Sequence, residues 1–238
     1  MAPLVRAVLL AAGLGTRLAP LTTAVPKILA PLSGRTLLEH QLEYLARQGI
    51  EEIAINAHHH AGAVTDFLRT RHLPPRVCVS VERELLGTAG ALEPLREFIS
   101  GPTVVLYGDV LTDADLEALV AAHVDCRSAA TLTYYESSSL EGKGLLELDH
   151  DRRIRTFVEK PDSAPPRANV NAGLYVVSNV VLDYVRPGAD FGRDVWPEML
   201  AAGEPLYGHP HRGYVRDVGS PGAFEAAAAD LAAGALAW

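Results

Sequence analysis

The chain has 238 residues, 48% of them hydrophobic and 21% charged, with a formal net charge of −8. That length supplies one α/β domain with a well-buried core, or two small ones, and the acidic balance argues against broad nucleic-acid binding, which needs a basic face. The apolar run Ala7 to Ala12 is too short to cross a bilayer, and no basic stretch followed by a long apolar one opens the chain, so no membrane span or signal peptide is expected and the reading is cytoplasmic.

In chain order, the first half alternates. Strands are expected over Leu4 to Ala12, Glu52 to Asn56, Val77 to Val81 and Thr103 to Tyr107, with helical segments between them. "TLLEHQLEYLARQG" has apolar residues at helical spacing and ends on Gly49, a suitable residue just past a helix. "AGAVTDFLRTR" and "TAGALEPLREFI" repeat the pattern more weakly. Strand–helix–strand repeats of this length imply βαβ units and a largely parallel sheet. "LTDADLEALVAAH" predicts a further helix capped by Thr112 or Asp113. The second half reads as short strands, "AATLTYYE", "GLLELD", "IRTFVEK" and "VNAGLYVVS", with "LDHDRRIR" as a hairpin turn and "DSAPPRAN" as the one loop-rich join. "DFGRDVWPEMLAAG" and "SPGAFEAAAADLAAGALA" predict closing helices. Cys78 and Cys126 form neither a disulfide framework nor a CxxC pair and are expected to be buried thiols. The three histidines of "NAHHHAGAV" read as loop or helix-start residues, because three consecutive side chains of a regular element cannot face one ion; Asn56 before them is expected to line the nucleotide pocket.

The stretch after the first strand, "AGLGTRLAPLTTAVPK", carries the chemistry. A dinucleotide fingerprint needs a third glycine where Leu18 stands, and the P-loop string is absent. Gly13 and Gly15 let backbone N–H groups approach phosphate oxygens, Thr16 offers a hydroxyl, Arg17 a planar fork, and Lys27, after Pro26, a second charge. Pro20 and Pro26 are expected to keep the segment extended. Only three of the 21 basic residues are lysines, Lys27, Lys143 and Lys160, and a compact ammonium is not interchangeable with a guanidinium.

"GLGTRLAPLTTAVPK" resembles the signature of the sugar-1-phosphate nucleotidylyltransferases, G-x-G-T-R-[LM]-x-P-[LM]-T-x-x-x-P-K. The resemblance runs on through most of the chain, and the stop at Trp238 resembles the short group without a C-terminal β-helix, which includes mannose- and heptose-1-phosphate guanylyltransferases. It implies a Rossmann-like, mixed but mainly parallel sheet flanked by helices. One domain over 1–238 is expected, with 1–125 binding nucleotide and 126–238 binding sugar. It implies an enzyme that uses Mg²⁺ and joins an NTP to a sugar 1-phosphate. Gly108-Asp109 in "VLYGDVL" and Asp217 in "GYVRDVGSP" match the metal-binding aspartates. Ala12, Gly13, Gly15, Thr16 and Arg17 then face the nucleotide, as do Glu82, Gly87 and Thr88 of "VERELLGTAGAL". Gly144, Glu159 and Lys160 of "FVEKP" and Asn171 of "NAGLY" face the sugar phosphate. Arg17, Lys27, Asp109, Lys160 and Asp217 are the expected catalytic set.

The Glu82 carboxylate can accept from the two adjacent donors of guanine, which favours GTP with a manno- or heptose-type sugar. Uridylyl or thymidylyl transfer to a glucose- or N-acetylamino-sugar 1-phosphate stays open, and so does a catalytically silent subunit of the same fold. An NAD(P) oxidoreductase is disfavoured by the broken fingerprint. Lys143, where the family often has an aromatic residue, touches a sugar substituent or a phosphate, or is solvated. A homo-oligomer is compatible with the reading; nucleic-acid and membrane partners are not expected.

Overall fold

The computed structural model describes residues 5–19, 21–71 and 75–236, so Leu4, at the start of the first predicted strand, and Pro20 fall outside them. In chain order the elements are β1 (Arg6–Leu10), β2 (Pro31–Leu32), β3 (Arg35–Thr36), α1 (Leu37–Arg47), β4 (Glu52–Ala57), α2 (Ala61–Arg69), β5 (Arg76–Val81), β6 (Thr103–Tyr107) and β7 (Val110–Thr112). They continue with α3 (Leu116–Asp125), β8 (Ala130–Ser137), β9 (Gly144–Leu148), β10 (Ile154–Glu159), β11 (Ala168–Val177), α4 (Trp196–Ala201), β12 (Leu206–Pro210), β13 (Val215–Asp217) and α5 (Pro221–Ala232).

Two compact units emerge from this chain, and both are discontinuous. The first comprises Met1–Leu85, Leu106–Asp115 and Gly213–Trp238; the second comprises Leu86–Val105 and Leu116–Arg212. In the first, β1 pairs in parallel with β4, and β4 in parallel with β5. The N–H of Gly108 donates to Leu10 O at 2.8 Å, which brings the chain after β6 beside the end of β1. Ala7, Val8, Leu9, Ile53, Ala54 and Ile55 are fully buried. Such unbroken apolar runs mark strands covered on both faces, as the parallel reading of this half requires.

Helix α1 forms where the sequence predicts it. Thr36 accepts from the N–H of Glu39 while the Glu39 carboxylate accepts from the N–H of Thr36, a complete capping box. Its buried face carries Leu38, Gln41, Leu42 and Leu45.

The second unit is built on β11, which runs antiparallel to both β8 and β9. β10 adds antiparallel to β9 through the predicted hairpin, and β12 adds parallel to β8. The expected change of style between the halves is therefore present, and the sheet is mixed.

Four local expectations are corrected. Both cysteines are exposed: β5 is an edge strand with no buried residue, and Cys126 lies just past the end of α3. Helix α3 starts at Leu116, later than a Thr112 or Asp113 cap would place it, because Val110–Thr112 is claimed by pairing with β13. The Thr112 hydroxyl instead accepts from the N–H of Ala114, and the Asp113 carboxylate from the N–H of Tyr214. "TAGALEPLREFI" gives only a 3₁₀ helix over Gly90–Leu95, since Pro94 has no N–H to extend an α-helical ladder. The segment expected to be extended contains two 3₁₀ turns, Thr16–Leu18 and Lys27–Leu29, and of its two prolines only Pro26 is described, with φ −63° and ψ 146°.

Candidate active site

β1 ends beneath the glycine-rich turn. Ala12 is buried, while nothing crowds the Cα of Gly13. Gly15 adopts φ +63°, a region that disfavours any residue with a Cβ. Its carbonyl accepts from the Thr22 hydroxyl at 2.8 Å, and a Cβ there would lie 3.0 Å from the Cβ of Lys27. The turn thus folds back onto Lys27. Thr16 and Arg17 stand exposed in the 3₁₀ turn that follows.

Lys27 is itself mostly buried and donates to Asp109 Oδ2 at 2.6 Å. Asp109 follows β6, at the carboxyl end of the parallel strands, where ligands of open α/β sheets gather. The short ladder of β7 and β13 pairs Val110 with Asp217, and the N–H of Val218 donates to Asp109 O at 2.8 Å. Two aspartates 108 positions apart in sequence are therefore neighbours.

Gly219 completes the corner. Its N–H donates to Asp217 Oδ1 at 2.6 Å, and a Cβ on it would stand 2.6 Å from that same oxygen and 2.7 Å from Arg17 Nη2. Surrounding protein and, next, the negative charge of Asp109 push the Asp217 carboxyl above the ordinary carboxylate range; Lys27, the Gly219 N–H and Arg17 pull the other way. Asp217 keeps an exposed edge, which weakens the first cause, so the like charge of Asp109 is the cause the geometry supports best. Arg17, Lys27, Asp109 and Asp217 thus converge within the first unit. Two carboxylates and two cations around an open glycine turn can hold a divalent ion and a polyphosphate at once.

Glu82 is buried in the same unit. Asn56 bridges it to the glycine-rich turn: the Asn56 Oδ1 accepts from the N–H of Ala11 and its Nδ2 donates to Glu82 Oε1, both at 2.7 Å. Asn56 is only 3% exposed, so it is a buried tether and not the pocket lining expected of it.

The remaining sequence-predicted residues lie in the second unit. A Cβ on Gly87 would meet Ala189 O at 2.3 Å, and the Thr88 hydroxyl donates to Asp190 Oδ2 at 2.8 Å, so both fasten their loop to the 189–191 turn. Gly144 and Glu159 face each other across the β9–β10 pair. Lys160 sits 3.3 Å from Glu159 Oε1 and holds φ +48°, an uncommon conformation for a side-chain-bearing residue. Asn171 donates to the Tyr175 hydroxyl at 2.7 Å. Lys143 is not simply solvated: its Nζ lies 3.1 Å from the Tyr135 hydroxyl and over that ring, and its carbonyl accepts from the N–H of Lys160.

One residue escaped the sequence reading. Gln41, 1% exposed, donates from one amide nitrogen to Gly108 O at 3.2 Å and to Val110 O at 2.7 Å, the two carbonyls that bracket Asp109. Its signal was available, since a lone amide sits on the apolar stripe of α1 between Leu38 and Leu45.

Residues 6–234 match the family model described as Nucleotidyl transferase. The chain belongs to that family. Among curated nucleotidyl transferase relatives, it is 33% identical over 235 residues to a mannose-1-phosphate guanylyltransferase of Mycobacterium tuberculosis, covering 97% of this chain and 65% of that protein. It is 30% identical over 220 residues to a UTP–glucose-1-phosphate uridylyltransferase of Synechocystis sp., covering 85% of this chain and 57% of that protein. The crystal structure of HddC from Yersinia pseudotuberculosis complexed with GMP-PN superposes with a TM-score of 0.82 at 26% identity, covering 95% of this chain and 99% of that one. The chain spans 57% to 65% of the length of the curated relatives it matches. Among the described residues no helix is long and apolar enough to cross a membrane.

Proposed function

We propose that this chain transfers a nucleotidyl group from an NTP, GTP by preference, to the phosphate of a manno- or heptose-type sugar 1-phosphate, releasing pyrophosphate. The observation that carries the reading is the convergence of Arg17 and Lys27 with Asp109 and Asp217 beside the glycine-rich turn. The nucleophile of such a reaction is a phosphate oxygen, already anionic, so no general base is required. The barrier lies in bringing two polyanions together and in the charge of the transition state. Arg17 and Lys27 hold the triphosphate and offset the charge of the departing pyrophosphate. Lys160 holds the sugar phosphate, and Glu159 and Asn171 accept and donate at ring hydroxyls.

Asp109 and Asp217 fit a hard divalent cation: both donors are oxygen, they are adjacent, and burial together with the like charge of Asp109 raises the Asp217 carboxyl, a penalty that a divalent cation would offset. Mg²⁺ bound there supplies charge neutralisation at the phosphates. Lys27, paired with Asp109, sets the orientation of that carboxylate. Arg17, Lys27, Asp109, Lys160 and Asp217 are all present, which weighs against a catalytically silent subunit. A cytoplasmic location, with its pools of NTP and phosphorylated sugars, suits this activity.

The guanylyl preference rests on the residue type at Glu82, a carboxylate being able to accept from the paired donors of guanine, and on the similarity to the mycobacterial guanylyltransferase. Uridylyl transfer is the second reading, favoured by the Synechocystis relative. A pyrophosphate-release screen decides between them. GTP, UTP, dTTP, ATP and CTP are each offered with mannose, heptose, glucose and N-acetylamino-sugar 1-phosphates in the presence of Mg²⁺. GTP with a manno-configured sugar is expected to lead. Preference for UTP or dTTP overturns the guanylyl assignment, and no release from any pair overturns the transferase.

A further inference from the structure

The second unit contains an element that the reaction scheme does not use. Residues Phe191–Val195 form a π-helical turn, a rare conformation that recurs near functional sites. It is held by an unusual concentration of side chains. Asp190 accepts from the N–H groups of Gly192 at 2.9 Å and Arg193 at 3.1 Å. Thr88 is used twice: its hydroxyl donates to Asp190 Oδ2 at 2.8 Å and accepts from the N–H of Phe191 at 2.9 Å.

This turn touches one proposed sugar-hydroxyl contact, Glu159, and reaches the other, Asn171, through Tyr175. A Cβ on Gly192 would lie 2.6 Å from Glu159 Oε2 and 3.0 Å from its carboxyl carbon. A Cβ on Gly144, across the strand pair, would lie 2.7 Å from the same oxygen. The Glu159 carboxylate therefore occupies a slot whose two walls are bare Cα atoms. On its other side the turn presents Phe191, fully buried, edge-on to Tyr175 at 5.4 Å, and the Tyr175 hydroxyl accepts from Asn171.

We infer that Thr88, Asp190 and Gly192 are positioning residues that set the Glu159 carboxylate, and through Tyr175 the Asn171 amide, for the ring hydroxyls of the sugar 1-phosphate. The inference rests on the sugar-binding reading of Glu159 given above. It assigns the Thr88 side chain to the sugar half of the reaction, although Thr88 lies in the loop whose sequence resembles the base-recognition segment. The hydroxyl has no proton left to donate to a base, since it is engaged by Asp190 within the second unit.

Gly192→Ala is the primary test. Gly192 does not hold a positive φ, and alanine is the better helix former, so the variant is expected to fold. The methyl group forces Glu159 out of its slot. KM for the sugar 1-phosphate is expected to rise about tenfold or more while KM for the NTP stays within about twofold. Glu159→Ala should raise the same KM, and adding Gly192→Ala to it should cost nothing further, since the carboxylate through which Gly192 acts is gone. Thr88→Val should repeat the selective rise, and Thr88→Ser, which keeps the hydroxyl, should restore it.

An unchanged sugar KM in folded Gly192→Ala overturns the inference, as do parallel rises for both substrates, additive costs in the double variant, or a Thr88→Ser variant no better than Thr88→Val. A crystal structure of Gly192→Ala supplies a readout independent of turnover: a Glu159 carboxylate that has not moved also overturns the inference. If the wild-type chain turns over no sugar 1-phosphate, the functional reading fails, and the displacement in that crystal still decides whether Gly192 shapes the slot.

Discussion

Replacing Gln41 by methionine tests how the aspartate that follows β6 is held. Methionine keeps the length and volume of the side chain, and the two residues have similar helix propensities, so the loss is confined to the amide. Gln41 is 1% exposed and donates to Gly108 O and Val110 O. A buried acceptor that loses its partner costs about 1–3 kcal/mol. Val110 sits in the β7–β13 ladder and the Gly108 contact is the longer of the two, so both belong near the lower end. The expected total is about 2 kcal/mol, a melting temperature lower by about 4–8 °C for a chain of this size. Freed from its brackets, Asp109 should lose its fixed approach to Lys27, and kcat should fall about tenfold in the pyrophosphate-release assay. Calorimetry and steady-state kinetics on the same preparation check both parts. A melting temperature within 1 °C of wild type, with kcat unaltered, would refute the idea that this amide organises the site.

Two further outcomes are expected. Lys27→Ala and Asp109→Asn should each lower kcat by about 10²-fold or more, as when one electrostatic stabiliser is removed; near-wild-type turnover in either purified, folded variant overturns their assignment. His123, buried between the hydroxyls of Thr131 and Ser178, has its pKa pushed down to about 4 by burial, against an ordinary value near 6.5. The sign follows directly: below pH 6.5 the unfolded chain takes up a proton that the folded chain refuses until about pH 4, so stability falls across that interval. Denaturation at pH 7 and pH 4 should show the wild type losing about 3 kcal/mol more than His123→Gln, and equal losses would contradict the neutral, buried imidazole.

Sequence patterning and motif chemistry were enough to read much of the fold and to single out the residues proposed to grip phosphate. The parallel half was legible because strands covered on both faces become apolar runs, and α1 because Thr36 and Glu39 write a capping box. The glycine turn with Arg17 and Lys27 stood out in the sequence because such residues together suit the proposed anion grip. The exposed cysteines were not, since exposure depends on whether β5 has a second neighbour, and no property of Cys78 itself encodes that. The start of α3 was misplaced because β13, a hundred residues further on, claims Val110–Thr112.

By itself, then, the sequence determined what is local: helix caps, strand periodicity, the conformational freedom of Gly15, and the kinds of charge on offer. Only the tertiary structure decided which charges meet. Asp109 and Asp217 become a pair through a three-residue ladder, Asn56 bridges Ala11 to Glu82, and Thr88 reaches Asp190 across 102 positions. Such contacts are set by chain topology and by space left at glycines, and both depend on the partner segment as much as on the residue itself.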